Sequence, residues 1–172
     1  TLDGSSAASD VYKRQQSQLD SLLRAAEVSC AEKGARLTQR RRQVLSVLMQ
    51  SSSPLSAYEV LDLCNRSTTS AMPAMSVYRI LDFLEQQLLV HRLSTSNKFV
   101  SCAHIACDHK HFRTTHFLLC EGCSSVEEVD ATEEASEALE QMAKKVGFKL
   151  TTQQFELSGI CTTCQKNAGG GL

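Results

Sequence analysis

Two pairs of cysteines share one spacing: Cys120 and Cys123 in "CEGC", and Cys161 and Cys164 in "CTTC", with thirty-seven residues between the pairs. Two C-x-x-C turns can surround one Zn²⁺ tetrahedrally, each turn supplying two thiolates. Such a site fills all four coordination positions, so its expected role is structural and not catalytic. In small zinc modules the apparent binding energy is roughly 10–16 kcal/mol, enough to decide whether a unit of this size folds. Four unrelated buried cysteines would not show the paired spacing. A redox C-x-x-C needs one pair in a thioredoxin-like setting, whereas here there are two.

A second set of ligand types lies upstream. All five histidines of the chain fall within the twenty-six residues from His91 to His116, with Cys102 and Cys107 among them. One isolated histidine would read as an ordinary surface or core residue, but this density favours metal. His91, Cys102, a histidine of the run "DHKH" and Glu128 compose a candidate N/S/O site, and a thiolate among the ligands points to Zn²⁺ over the harder six-coordinate ions. Cys30 and Cys64, at apolar helix positions, read as buried packing.

The composition limits what these ligands can belong to. Of 172 residues, 42% are hydrophobic and 22% charged, the balance of a globular protein that can bury a core. No apolar run reaches the eighteen or so residues of a membrane span, and the N-terminus lacks a secretory layout, so the expectation is a cytoplasmic protein with reduced thiols and no membrane partner. The net charge of −1 hides an asymmetry. Residues 17–98 carry ten Lys and Arg against seven Asp and Glu, whereas residues 99–172 carry six against ten. A polyanion partner therefore suits the first half only. A zinc hydrolase or deaminase would need an open zinc and an acid/base Glu, yet no His-x-Glu occurs and no Pro precedes either cysteine pair. No catalytic residue and no small-molecule substrate other than Zn²⁺ is expected, and the protein reads as no enzyme.

The elements that must position these residues follow from apolar periodicity. Residues 1–16, without periodicity and rich in small polar types, read as a disordered or non-native leader, and residues 167–172 as a flexible tail. Leu19, Leu22, Leu23 and Ala26 open a first helix stopped by Gly34. Val44, Leu45 and Leu48 mark a second, with Thr38 as N-cap. Ser56 and Glu59 form a capping box before a third helix carrying Val60, Leu61 and Cys64. Val77, Ile80, Leu81 and Leu84 stripe a fourth, leaving Tyr78, Arg79 and Asp82 on another face. "LLVHRLS" and "KFVSC" then form a hairpin across the turn "TSN". Helices followed by a hairpin make a winged helix, whose last helix enters the major groove of DNA. The second half reads as strands "HFLLC" and "VEEV", a helix from about Thr132 to Val146 entered through an Asp130/Glu133 capping box, and a strand "FKLTTQQFEL". The fold class is thus α+β: a winged-helix domain at 17–101, a hinge with metal ligands at 102–113, and a small α/β zinc domain at 114–166.

The words "ARLTQRRRQVL", "LSAYEVLDL", "SVYRILDFLEQQLLVHRL", "CEGC" and "CTTC", in this order and spacing, resemble the ferric uptake regulator family, most closely its zinc-sensing branch. The resemblance covers about Leu19 to Gln165, and Cys102 at the end of the wing marks the branch. It implies a homodimer held by the C-terminal domain and a metal-dependent repressor of zinc-uptake genes that binds double-stranded operator DNA. Two Zn²⁺ per chain are implied: a structural ion on Cys120, Cys123, Cys161 and Cys164, and a regulatory ion on His91, Cys102, His111 and Glu128. His116 is the runner-up to His111, His109 could supply a further site, and Glu127 competes with Glu128 because neighbours on a strand face opposite ways. For DNA the resemblance implies Tyr78 and Arg79 on the recognition helix, with Tyr58 and the Arg40 to Arg42 cluster as backbone contacts, a solvated helix face being the alternative for Arg41 and Arg42. Iron or peroxide sensing within the family, and a zinc-stapled module that binds only protein, are the alternative readings.

Overall fold

A computed structural model describes residues 5–66, 71–105, 115–130, 132–151 and 154–168, with side chains from residue 15. The chain divides into two compact units, Thr1–Ser51 with Leu55–Cys107, and Ser52–Pro54 with Asp108–Leu172.

The first unit begins with four helices: α1 (Ser5–Glu32), α2 (Gln39–Gln50), α3 (Ala57–Arg66) and α4 (Ala74–Gln86). Helix α1 starts at Ser5, inside the stretch read from sequence as a disordered leader; residues 5–16 hold no Pro or Gly, and Ala7, Ala8, Lys13, Arg14, Gln15 and Gln16 favour helix. Leu19, Leu23, Ala26 and Cys30 form its buried stripe, and Gly34 (φ 69) ends it, with Ala35 N–H donating to the Cys30 carbonyl at 2.8 Å. Each helix buries one stripe against a common core that includes Val44, Leu45, Val60, Cys64, Val77, Leu81 and Leu84. Cys30 and Cys64 are fully buried in it, and burial pushes the Cys64 thiol up to about 11.

Side chains stitch these helices together. Gln43 Nε2 donates to the Cys64 carbonyl at 2.9 Å, and Lys33 Nζ to the Gln87 carbonyl at 2.8 Å. Asn65 brackets the link to α4, its Oδ1 accepting from Met72 N–H at 2.6 Å and its Nδ2 donating to the Met72 carbonyl at 3.3 Å. The capping box at α3 forms as read: Ser56 N–H donates to Glu59 Oε2 at 2.7 Å and Glu59 N–H to Ser56 Oγ at 3.3 Å. Thr38 holds the N-cap position of α2 in extended backbone but makes no side-chain capping bond.

The hairpin follows α4 directly. Strands β1 (Val90–Leu93) and β2 (Lys98–Ser101) pair antiparallel, His91 opposite Val100 and Arg92 opposite Phe99. Leu55 adds a one-residue third strand, exchanging two backbone hydrogen bonds with Phe99 at 2.7 and 3.0 Å. This ties the wing to the entry of α3.

The second unit carries β3 (Thr115–Cys120), β4 (Val126–Asp130), α5 (Glu133–Lys145), β5 (Phe155–Gly159) and α6 (Thr162–Ala168). The sheet order is β4-β3-β5, with β3 antiparallel to β4 and parallel to β5. Thr132, not Asp130, caps α5: its hydroxyl accepts from Ala135 N–H at 3.3 Å, while Asp130 still belongs to β4, paired with Thr115. Glu133 and Glu134 in the first turn and Lys144 and Lys145 in the last suit the helix dipole, and Gly147 (φ 78) closes the helix. The last strand is shorter than read, with 148–151 outside it. The described part of this unit buries little: Phe117, Cys120 and His116, and nothing on α5.

Candidate functional site

Strand β3 ends in Cys120, where the chain reverses. Ser124 N–H donates to the Cys120 carbonyl at 2.8 Å and Cys120 N–H to the Ser125 carbonyl at 2.9 Å, with Ser124 in the left-handed region (φ 59). The parallel register sets Cys120 beside Gly159, two residues before Cys161, and Glu121 N–H donates to the Gly159 carbonyl at 2.9 Å. The two C-x-x-C turns therefore meet despite the long insert. Ligand atoms of Cys120, Cys123, Cys161 and Cys164 all lie within 4.8 Å of one another, and Cys123 Sγ is 3.8 Å from Cys161 Sγ. A Zn–S bond of about 2.3 Å in tetrahedral geometry gives an S···S edge of about 3.8 Å.

The electrostatics of the quartet ask for a cation. Backbone N–H groups of Cys161 and Cys123 pull the Cys120 thiol down to about 6, Cys161 N–H lying 3.2 Å from its sulfur. The Ser125 hydroxyl, 3.2 Å away, lowers Cys123. Cys164, crowded by the sulfurs of Cys161 and Cys123, is pushed up to about 12. Four thiolates this close repel one another unless a positive ion sits among them. None of the described cysteines is in a disulfide. Donor type, spacing and geometry fit Zn²⁺.

In the first unit the wing brings together two further ligand types. Leu89 accepts a hydrogen bond from Cys102 N–H at 3.0 Å, which returns the end of β2 to the start of β1 and leaves the ligand atoms of His91 and Cys102 within 4.8 Å of each other. His104 N–H donates to Cys102 Sγ at 3.4 Å. His111, along with His109 and Cys107, lies outside the described residues. In the second unit the sheet separates the rival carboxylates. Glu128 pairs with Phe117 and shares its face, whereas Glu127 pairs with Leu118 on the face that also carries His116. His116 and Glu128 thus project from opposite faces. Both ring nitrogens of His116 are buried without a hydrogen-bond partner among the described residues, and its ring stands edge-on to Phe155 at 5.0 Å.

The residues expected to meet DNA sort by exposure. Tyr58 of α3 is 69% exposed and Tyr78 of α4 37%, their rings edge-to-face at 6.3 Å; Arg79 and Arg40 are exposed. The neighbouring arginines of α2 are engaged internally. Arg41 lies 3.4 Å over the Phe83 ring and donates to the Arg36 carbonyl at 2.6 Å, while Arg42 pairs with Glu27 at 2.5 Å and Asp20 at 3.7 Å. Sequence reading missed Arg92 and Asn97 on the wing and Gly122 in the first cysteine turn. An Asn just before the second strand of a hairpin signals a left-handed turn residue and was the available cue for the first two.

The chain is 35% identical over 143 residues to the zinc uptake regulation protein of Escherichia coli (strain K12), covering 83% of this chain and 81% of that one. Its fold is similar to the crystal structure of holo XcZur (TM-score 0.71, 36% identity, 85% and 98% of the two chains) and to a zinc uptake regulator complexed with zinc and DNA (TM-score 0.76, 30% identity, 88% and 97%). Residues 32–158 match the model of the ferric uptake regulator family, and a match over that much of the sequence, with such relatives, makes this chain a member of that family.

Proposed function

We propose that the protein is a zinc-sensing transcriptional repressor that binds operator DNA as a homodimer when a regulatory Zn²⁺ is bound, and so represses zinc-uptake genes. The observation that carries this reading is the pairing of His91 and Cys102 on the wing, the hairpin that directly follows α4 and its exposed Tyr78. A soft metal pair on the element that flanks a recognition helix is placed to couple metal to DNA. The relatives support it: one is a zinc uptake regulation protein, and another was solved with zinc and DNA.

Each chain holds two Zn²⁺ in this scheme. The four cysteines keep a structural ion, while His91 and Cys102 with His111 and Glu128 bind the regulatory one and select the DNA-competent arrangement. Zinc can tighten DNA binding only by as much as it prefers that arrangement. Tyr78 and Arg79 read bases, and Tyr58 and Arg40 contact the backbone. Dimerisation accords with the large apolar side chains the second unit exposes, including Leu118, Leu157, Met142, Val146 and Phe148. No described helix is long and apolar enough to cross a membrane. The role is regulatory and not enzymatic.

A zinc titration of operator binding by gel shift tests the proposal. Wild type should bind only above a zinc threshold, and Cys102→Ser should need at least about tenfold more zinc. Equal zinc dependence in the two proteins would sink it.

A further inference from the structure

The wing carries a second arginine-based feature that neither the metal sites nor the recognition helix uses. Arg92 lies at the middle of β1 and is exposed. Its Nε and Nη2 donate to Oδ1 of Asn97 at 3.1 and 2.6 Å. Asn97 occupies the left-handed region (φ 52), which Asn tolerates better than most residues and which turns its carboxamide back across the hairpin. The guanidinium carbon stands 5.8 Å from the centre of the Phe99 ring, on the facing strand position. A flexible side chain is thereby fixed in plane and direction by a hydrogen-bonded edge and a ring beneath it.

The direction is informative. Desolvation raises the Tyr78 phenol above its ordinary range and Tyr58 adds to the rise, while Arg92 pulls it down. The hairpin that carries Arg92 is set against the start of α3, where Tyr58 lies, by the Leu55–Phe99 bridge and the Lys98–Glu59 pair, and the Arg92 charge is felt at Tyr78 of α4. The other lysine or arginine of the hairpin is committed elsewhere: Lys98 Nζ pairs with Glu59 Oε2 at 3.7 Å.

We propose that Arg92, held by Asn97, is a DNA contact of the wing: it receives a backbone phosphate beside the stretch read by α4, with Asn97 as its positioning residue. The inference rests on the DNA-binding reading above. Phosphate is the favoured partner because a planar guanidinium fork matches its oxygens and because the hairpin of a winged helix lies along the backbone. Pre-ordering the fork means that less side-chain freedom is lost on binding.

Operator and random-sequence duplexes titrated over a range of salt, with zinc saturating, test this. Arg92→Ala should weaken both duplexes by about the same factor, on the order of tenfold at roughly 0.1 M salt, and reduce the salt slope by about one. Asn97→Gly, which keeps the turn, should lower affinity by about threefold while leaving the slope unchanged, since no charge is lost. Arg92→Lys should keep the slope, and adding Asn97→Gly to it should cost nothing more, because lysine has no fork to position. Zinc stoichiometry and melting temperature measured on each variant separate a folding defect from a lost contact. An unchanged slope in Arg92→Ala, or a loss confined to the operator, overturns the phosphate assignment. Failure of wild type to bind DNA with zinc would instead overturn the functional reading beneath it.

Discussion

A Cβ added to Gly122 would sit 2.9 Å from the sulfur of Cys164 and 3.1 Å from its Cβ. Gly122 is not in a left-handed conformation, so the requirement here is space and not backbone freedom. Gly122→Ala should therefore move Cys164 by several tenths of an ångström, more than the roughly 0.2 Å a zinc–sulfur bond tolerates. Zinc release to a chelator should speed up by at least about tenfold. Release at the wild-type rate would remove the packing argument.

The second unit depends on its metal for a related reason. Among the described residues it fully buries Phe117, nearly buries Cys120 and His116, and leaves α5 without a buried side chain. That is too little apolar burial to hold three strands and two helices alone. Cys120→Ser should lower zinc content by at least one ion per chain and leave this unit unfolded and monomeric by sedimentation. The helical signal of the first unit, which has its own core, should persist. A zinc-depleted dimer with native spectra would refute a structural role for the ion.

What could be read from sequence divides along a physical line. Features set by residues three or four apart were legible: the Ser56/Glu59 box, the stripe on α4 and the cysteine pairs. The Asp130/Glu133 box misread a local pattern, because β4 runs through Asp130 before Thr132 can cap α5. Features that need register were not legible. The Leu55 bridge to Phe99 is a single residue with no periodicity. The face of Glu128 follows only from its pairing with Phe117, and the grip of Asn97 on Arg92 only from the hairpin that opposes them.

The Ser56/Glu59 box gives a stability prediction with a defined pH dependence. Ser56 N–H, then the Ser56 hydroxyl, with help from Lys98, holds the Glu59 carboxyl below its usual range. A carboxylate favoured by the folded state stabilises above its unfolded pKa of about 4.3, and this stabilisation disappears as pH falls through the lower folded value. Ser56→Ala should cost about 1 kcal/mol at neutral pH. Glu59→Gln should melt below wild type at pH 7, and the gap should close as pH falls through the lowered folded value of Glu59; acid loss of zinc affects both proteins alike. A gap that persists in acid would rule out the ionised form as its source.

Arg79 is exposed on α4 beside Tyr78, without the internal partners that hold Arg41 and Arg42. A base-reading arginine contributes discrimination of about 1–3 kcal/mol, roughly fivefold to 150-fold between operator and mismatched sites. Arg79→Ala should erase most of that ratio while sparing zinc stoichiometry and melting temperature. Measured against Arg92→Ala, which should weaken all duplexes alike, it separates base reading from backbone contact. Selectivity intact in Arg79→Ala would move recognition to another element.

The two carboxylates of β4 offer a comparison in which the strand itself is the control. Glu127 and Glu128 are adjacent and both ionisable, but Glu128 lies on the face of the fully buried Phe117 and Glu127 on that of the exposed Leu118. Substitution by Gln keeps size and shape but replaces one acceptor oxygen by an NH2 donor and removes the negative charge that favours a metal. If Glu128 ligates the regulatory ion, Glu128→Gln should retain the structural zinc yet bind operator only at zinc concentrations about tenfold to a hundredfold higher. Glu127→Gln should behave as wild type. His116 shares the face of Glu127, so the reverse pattern would transfer the site to that face and predict the same loss for His116→Ala, whereas equal effects would mean that neither carboxylate coordinates the ion.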